Sequence, residues 1–107
     1  LLPLVQRGET PAFAELMARG VFGELQTLKP TWSPVIWTTI ATGKGPEKHG
    51  IEGFVYAAEV DGQMEPRVFN SGHRRTKAFW NILSDRGRTV DVIGWWITYP
   101  AEPIDGL

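Results

Sequence analysis

The chain has 107 residues, 42% of them hydrophobic and 21% charged, with a formal net charge of -1 and no cysteine. That usage is ordinary for a globular protein with one small core, and it excludes a disordered tail, a disulfide framework, a thiolate metal site and a cysteine nucleophile. Nearly balanced charge leaves no basic footprint for nucleic acid, and Pro3 breaks the short apolar start, so neither a signal peptide nor a membrane helix is read there.

Thr10 before Pro11, with Phe13, Leu16 and Met17 at helical spacing and Gly20 beyond them, predicts a short amphipathic helix whose apolar face packs on a sheet. Val21 to Thr27 is expected as a strand that delivers the chain to Ser33. Ser33 followed by Pro34 marks a helix start, because proline at the first helical position loses no hydrogen bond and has a φ that is already helical. Ser33 is therefore the expected N-cap, beside unpaired N–H groups and the positive end of the helix dipole, where a phosphoryl anion is stabilised. Val35 to Ala41 supplies an apolar, partly β-branched stretch suited to a buried helix, and Gly43 can take the left-handed conformation that stops it.

Gly43, Gly45, Pro46 and Gly50 predict a compact loop, and Asp61-Gly62 between Phe54 to Val60 and Met64 to Phe69 is a strong hairpin signal. Thr76 is the expected cap of a helix from Lys77 to Arg86, stopped by Gly87, with Ala78, Phe79, Ile82 and Leu83 as its buried stripe. The near-continuous apolar run from Thr89 to Trp96 then predicts a buried parallel strand after a crossover helix, a βαβ pattern. Trp95, Trp96, Tyr99, Pro100 and Pro103 form a loop at that strand's carboxyl end, where open α/β sheets place ligands. It is either a wall of a substrate pocket or aromatic packing. Residues 1–107 together read as a single partial α/β domain without repeats or linkers.

The segment from Pro30 to Ile51, PTWSPVIWTTIATGKGPEKHGI, resembles the nucleophile region of the alkaline phosphatase superfamily, and within it the type I phosphodiesterase and nucleotide pyrophosphatase branch. In that pattern a Thr or Ser nucleophile precedes a short helix, Thr-Gly follows nine positions on, and a proline and His-Gly-Ile come next; the matching residues are Ser33, Thr42, Gly43, Pro46, His49, Gly50 and Ile51. The resemblance is strong from Thr10 to Phe54 and weaker from His73 to Trp96. It implies part of a three-layer α/β sandwich, with a mainly parallel sheet only partly present and a β-hairpin. It also implies a metal-dependent hydrolase of phosphodiester or nucleotide pyrophosphate bonds, working through a covalent phosphoseryl intermediate. Ser33 is then both nucleophile and metal ligand, next to two divalent ions, commonly zinc. The family's Asp and His ligands are not matched in this chain, which is therefore read as the N-terminal part of a larger hydrolase without a complete active site of its own. Two departures stand out. Glu52, Gly53 and Phe54 occupy the place where relatives often carry a phosphoryl-binding asparagine, and Ser33-Pro34-Val35-Ile36-Trp37 does not fit the sulfatase run.

A serine hydroxyl needs an adjacent base or a metal to act at neutral pH, and no Ser, His and Asp triad can be assigned. His49 is expected in a structural hydrogen bond within its Gly- and Pro-rich loop. Thr38, Thr39 and Thr42 are expected to bond helix carbonyls, and a rise of about 1.5 Å per residue puts Thr42 roughly 13 Å from Ser33 along the axis. Lys44 and Lys48 are read as solvated loop charges, and Gly43-Lys44-Gly45 is not a Walker loop. Arg74 and Arg75, beside His73, are candidates to hold a distal anionic group of the substrate, since arginine matches phosphate oxygens bidentately; a surface role is the alternative. Two other functions stay open: a noncatalytic domain that binds a protein partner through the Trp95 to Pro103 loop, and a phosphomonoesterase or mutase of the same superfamily.

Overall fold

The structure, a computed structural model, describes residues 1–106. It opens with α1 (Leu2–Gln6) and α2 (Pro11–Arg19), the latter bounded by Thr10 and Gly20 as the spacing predicts. The apolar face of α2 packs on no sheet: neither helix has a buried residue, and they touch each other but no other helix or strand. Residues 21–28 follow as coil with every side chain exposed, Val21 and Leu25 almost completely. This protruding arm explains a radius of gyration of 18.3 Å, where a compact chain of this length gives about 13 Å.

The body begins at α3 (Ser33–Thr42), which starts one residue earlier than its sequence signals suggest: Trp32 is the N-cap and Ser33 the first helical residue. Gly43, at φ 63°, ends it, and its N–H donates to Thr39 O at 2.8 Å. Pro34, Val35, Thr38 and Ala41 form the buried stripe, spaced by about one helical turn. A four-residue helix, α4 (Pro46–His49), lies where a loop was expected, started by a proline and stopped by Gly50. Strands β1 (Val55–Val60) and β2 (Gln63–Val68) pair antiparallel, Val55 with Val68 and Val60 with Gln63. Their turn has positive φ at both Asp61 and Gly62, the geometry that matches the twist of a two-residue hairpin.

After a 3-10 turn over Ser71–His73, capped by Asn70 Oδ1 on Gly72 N–H, comes α5 (Phe79–Asp85). Thr76 does not cap it. The helix starts later, the Ala78 N–H is taken by Asn81 Oδ1 at 2.9 Å, and Thr76 Oγ1 is buried without a partner. Packing of α3 against α5 brings Ala41, Ala78 and Trp80 together, and Val90, Val92, Trp95 and Ile104 close over them.

The expected mainly parallel sheet and three-layer sandwich are not formed: among the described residues the hairpin is the whole sheet. Residues 21–27 and 89–96 are coil rather than strands. A strand exists only when its N–H and C=O groups find a neighbouring ladder. The hairpin carries its partner two residues away, whereas these two segments have no neighbour to pair with. Val90 N–H turns instead to Asp105 O at 2.7 Å, and Gly94, at φ 66°, bends the run before its end. Of the apolar residues in 89–96, Val90, Val92 and Trp95 pack partly buried on the core while Ile93 and Trp96 are exposed, so the expected continuous burial is only partly met.

Candidate functional site

Ser33 is half-buried at the start of α3. Among the described residues its Oγ has no hydrogen-bond partner, and it is not one of the sealed, unpartnered polar atoms, so it reaches solvent. Trp32 C=O accepts from Ile36 N–H at 3.0 Å, while the N–H groups of Ser33 and Val35 have no backbone acceptor. These free donors and the helix dipole make the first turn of a ten-residue helix a place for negative charge.

Its neighbour Pro34, but not Ser33 itself, lines a cleft of about 460 Å³ together with Phe54, Phe69, Trp95, Trp96 and Tyr99 among others. The aromatic loop thus divides its labour. Trp95 lines the cleft but also meets Trp80 of the core at 5.5 Å and Trp37 at 5.0 Å, whereas exposed Trp96, edge-on to Phe54 at 5.7 Å, and Tyr99 line the cleft only.

His49 is fully buried. Its Nδ1 accepts from Ile51 N–H at 3.1 Å and its Nε2 lies 3.0 Å from Thr39 Oγ1. Burial lowers its pKa below 6.5; the Glu47 carboxylate opposes that shift and the Arg74 guanidinium adds to it. Of the α3 hydroxyls, only Thr42 Oγ1 bonds a helix carbonyl, that of Thr38 at 2.7 Å. Thr39 pairs with His49, and Thr38 Oγ1 is buried without a partner. Lys44 and Lys48 are exposed.

Arg74 and Arg75 are neighbours in sequence but not in environment. The Arg74 side chain is 4% exposed, ion-paired with Glu102, donating to Asn81 Oδ1 at 2.9 Å and Thr76 O at 3.0 Å, and stacked over Trp80 at 5.3 Å. Glu102 also accepts from Trp80 Nε1 at 3.1 Å. Arg75 is exposed, has no ion pair among the described residues, and lays its stem over Gly50. Both arginines line a separate polar cleft of about 400 Å³ that neither Ser33 nor Pro34 enters. Sequence reasoning missed Glu102, which lies 28 residues from Arg74 and carries no local signal. It also missed α4, although Pro46 and Gly50 are the same start and stop signals that mark α3.

Among the described residues no three His, Asp or Glu side chains converge as metal ligands, so these residues do not by themselves fit a dinuclear centre. None of the described helices is long and apolar enough to cross a membrane.

No match was found among curated proteins or among solved structures. The family model for type I phosphodiesterase / nucleotide pyrophosphatase matches residues 3–105, spanning the Ser33 helix, the His49 turn, the hairpin and the aromatic loop. With almost its whole length matched, the chain belongs to the type I phosphodiesterase / nucleotide pyrophosphatase family.

Proposed function

We propose that the chain carries the nucleophile of a hydrolase of phosphodiester or nucleotide pyrophosphate bonds, with Ser33 Oγ as the attacking atom. In the first step the Oγ–P bond forms while the bond from phosphorus to the leaving oxygen breaks; the serine proton passes to solvent and the leaving oxygen gains one. Water then attacks the phosphoseryl ester, releases the phosphorylated product and restores the hydroxyl. The observation that carries this reading is the solvent-reaching Oγ at the first residue of α3, one residue before Pro34 of the aromatic cleft, in a chain of this family.

Val35 N–H and the helix dipole would stabilise charge on the phosphoryl oxygens, since Pro34 has no N–H to offer. Of the two candidate arginines, Arg75 has no ion pair among the described residues and would offer the contact to a distal anionic group reaching into the polar cleft it lines, while Arg74 holds the body together through Glu102. Two divalent cations, zinc by the resemblance, would supply stabilisation of the alkoxide and of the leaving oxygen. Ser33 Oγ is the donor this chain would contribute to them, and residues 1–107 alone would turn over nothing.

The test is hydrolysis of an aryl phosphodiester by the full-length protein and its Ser33→Ala variant. Turnover should fall by several orders of magnitude in the variant with an unchanged thermal melt. Undiminished activity removes Ser33 from the mechanism; a wild type with no turnover points to a noncatalytic binding domain, and faster monoester than diester hydrolysis points to a phosphomonoesterase or mutase.

A further inference from the structure

The turn that follows α3 does more than end it. Because Ile51 N–H donates to His49 Nδ1 at 3.1 Å, that nitrogen holds a lone pair, and the proton of the neutral ring sits on Nε2, directed at Thr39 Oγ1 at 3.0 Å. The ring is fully buried and its own carbonyl accepts from Arg75 N–H at 3.0 Å, so neither ring nor backbone is free to swing. From His49 the chain runs back along α3. Ile51 is fully buried, and at buried Gly53 a Cβ would stand 3.5 Å from the Trp32 ring. Trp32 is the N-cap of α3, and its carbonyl holds Ile36 N–H. The path therefore closes on itself: helix, His49, Ile51, Gly53, Trp32 and helix again.

We propose that His49 is a positioning residue for Ser33: the Nε2–H bond to Thr39 ties the second half of α3 to the return segment that backs Trp32, and the two contacts together set the direction of the helix's first turn. This rests on Ser33 being the nucleophile. A tether of this kind acts on the chemical step, because a reacting atom displaced by about 1 Å loses on the order of a hundredfold in rate. Both ends of the tether lie at or beyond the middle of α3, away from the cleft lining, so substrate binding should be little affected.

Thr39→Val removes the acceptor for Nε2–H while keeping side-chain volume, and Thr39→Ser restores it. In the full-length protein, assayed with an aryl phosphodiester well below the melting temperature, Thr39→Val should lower kcat roughly tenfold to a hundredfold with KM changed less than about twofold, and Thr39→Ser should recover most of the loss. His49→Gln, which keeps a donor near the Nε2 position, should retain more kcat than His49→Asn, which keeps only the acceptor near Nδ1. Ring nitrogen NMR of the folded wild type should show a neutral, Nε2-protonated His49 at pH 7. A folded Thr39→Val enzyme with wild-type kcat, or a His49 ring protonated on Nδ1, overturns the tether. Ser33→Ala run in parallel separates the two failures: if it is inactive while Thr39→Val is fully active, only the tether falls, and if it is active, the nucleophile assignment falls with it.

Discussion

Helices α2 and α3 carry the same local punctuation, a proline at the start and a glycine after the end, yet α2 buries no residue and α3 buries four. Apolar content is part of the difference, since α3 has no charged residue where α2 has Glu15 and Arg19, but Phe13 and Leu16 still give α2 an apolar face that stays uncovered. What α3 has is partners within reach: α4, α5, and the His49 to Gly53 segment that meets it at Thr39 and at Trp32. Capping chemistry decides where a helix begins and stops; burial depends on what the rest of the chain brings to its face. The body is therefore expected to respond strongly to single substitutions and the arm weakly.

The largest loss of stability should come from Glu102→Ala, which strands the buried Arg74 guanidinium and the Trp80 Nε1–H at once. Removing one partner of such a pair costs about 3 kcal/mol, read as a drop in the denaturation midpoint, and Glu102→Gln should cost less because its single amide oxygen can still accept from Arg74 or from Trp80, though not from both. Gly50→Ala comes next: at φ 79° an L-residue is strained, and its Cβ would meet the Arg75 stem at 3.0 Å, for a cost of about 1 to 2 kcal/mol. A titration sharpens the contrast further. Because burial lowers the folded pKa of His49 below 6.5, the unfolded chain binds a proton that the folded one refuses, so stability falls as pH drops below 6.5 toward the folded value and gains nothing from His49 above it. Urea midpoints across that range should show this slope in the wild type and a shallower one in His49→Gln. Leu16→Ala marks the small end: with the side chain 67% exposed, the change should stay within about 0.5 kcal/mol. A loss from Leu16→Ala as large as that from Glu102→Ala would break the distinction between arm and body.

What could be read from sequence follows the range of the interactions. The Ser33 helix, its Gly43 stop, the Asp61-Gly62 hairpin and the structural bonding of His49 rest on residues within a few positions of one another, and all are present, with the helix start shifted by one residue. The strands expected over 21–27 and 89–96 depended on neighbours to supply a ladder, and an apolar run alone does not reveal whether one exists. Likewise the pattern His73-Arg74-Arg75 looked like one cationic cluster, but Glu102 claims Arg74 and leaves Arg75 exposed. The aromatic loop was legible as a loop, and only coordinates show that Trp95 both packs against the core and lines the cleft, whereas exposed Trp96 and Tyr99 line the cleft without joining the core.

The central claim concerns one atom, Ser33 Oγ, and trapping the covalent ester tests it most directly. Acid quenching of the full-length protein during turnover of an aryl phosphodiester, followed by peptide mass mapping, should find the added phosphoryl mass on Ser33 and lose it in Ser33→Ala. An adduct on Thr38, Thr39, Thr42 or any other side chain, in a protein that is turning over substrate, would contradict the account.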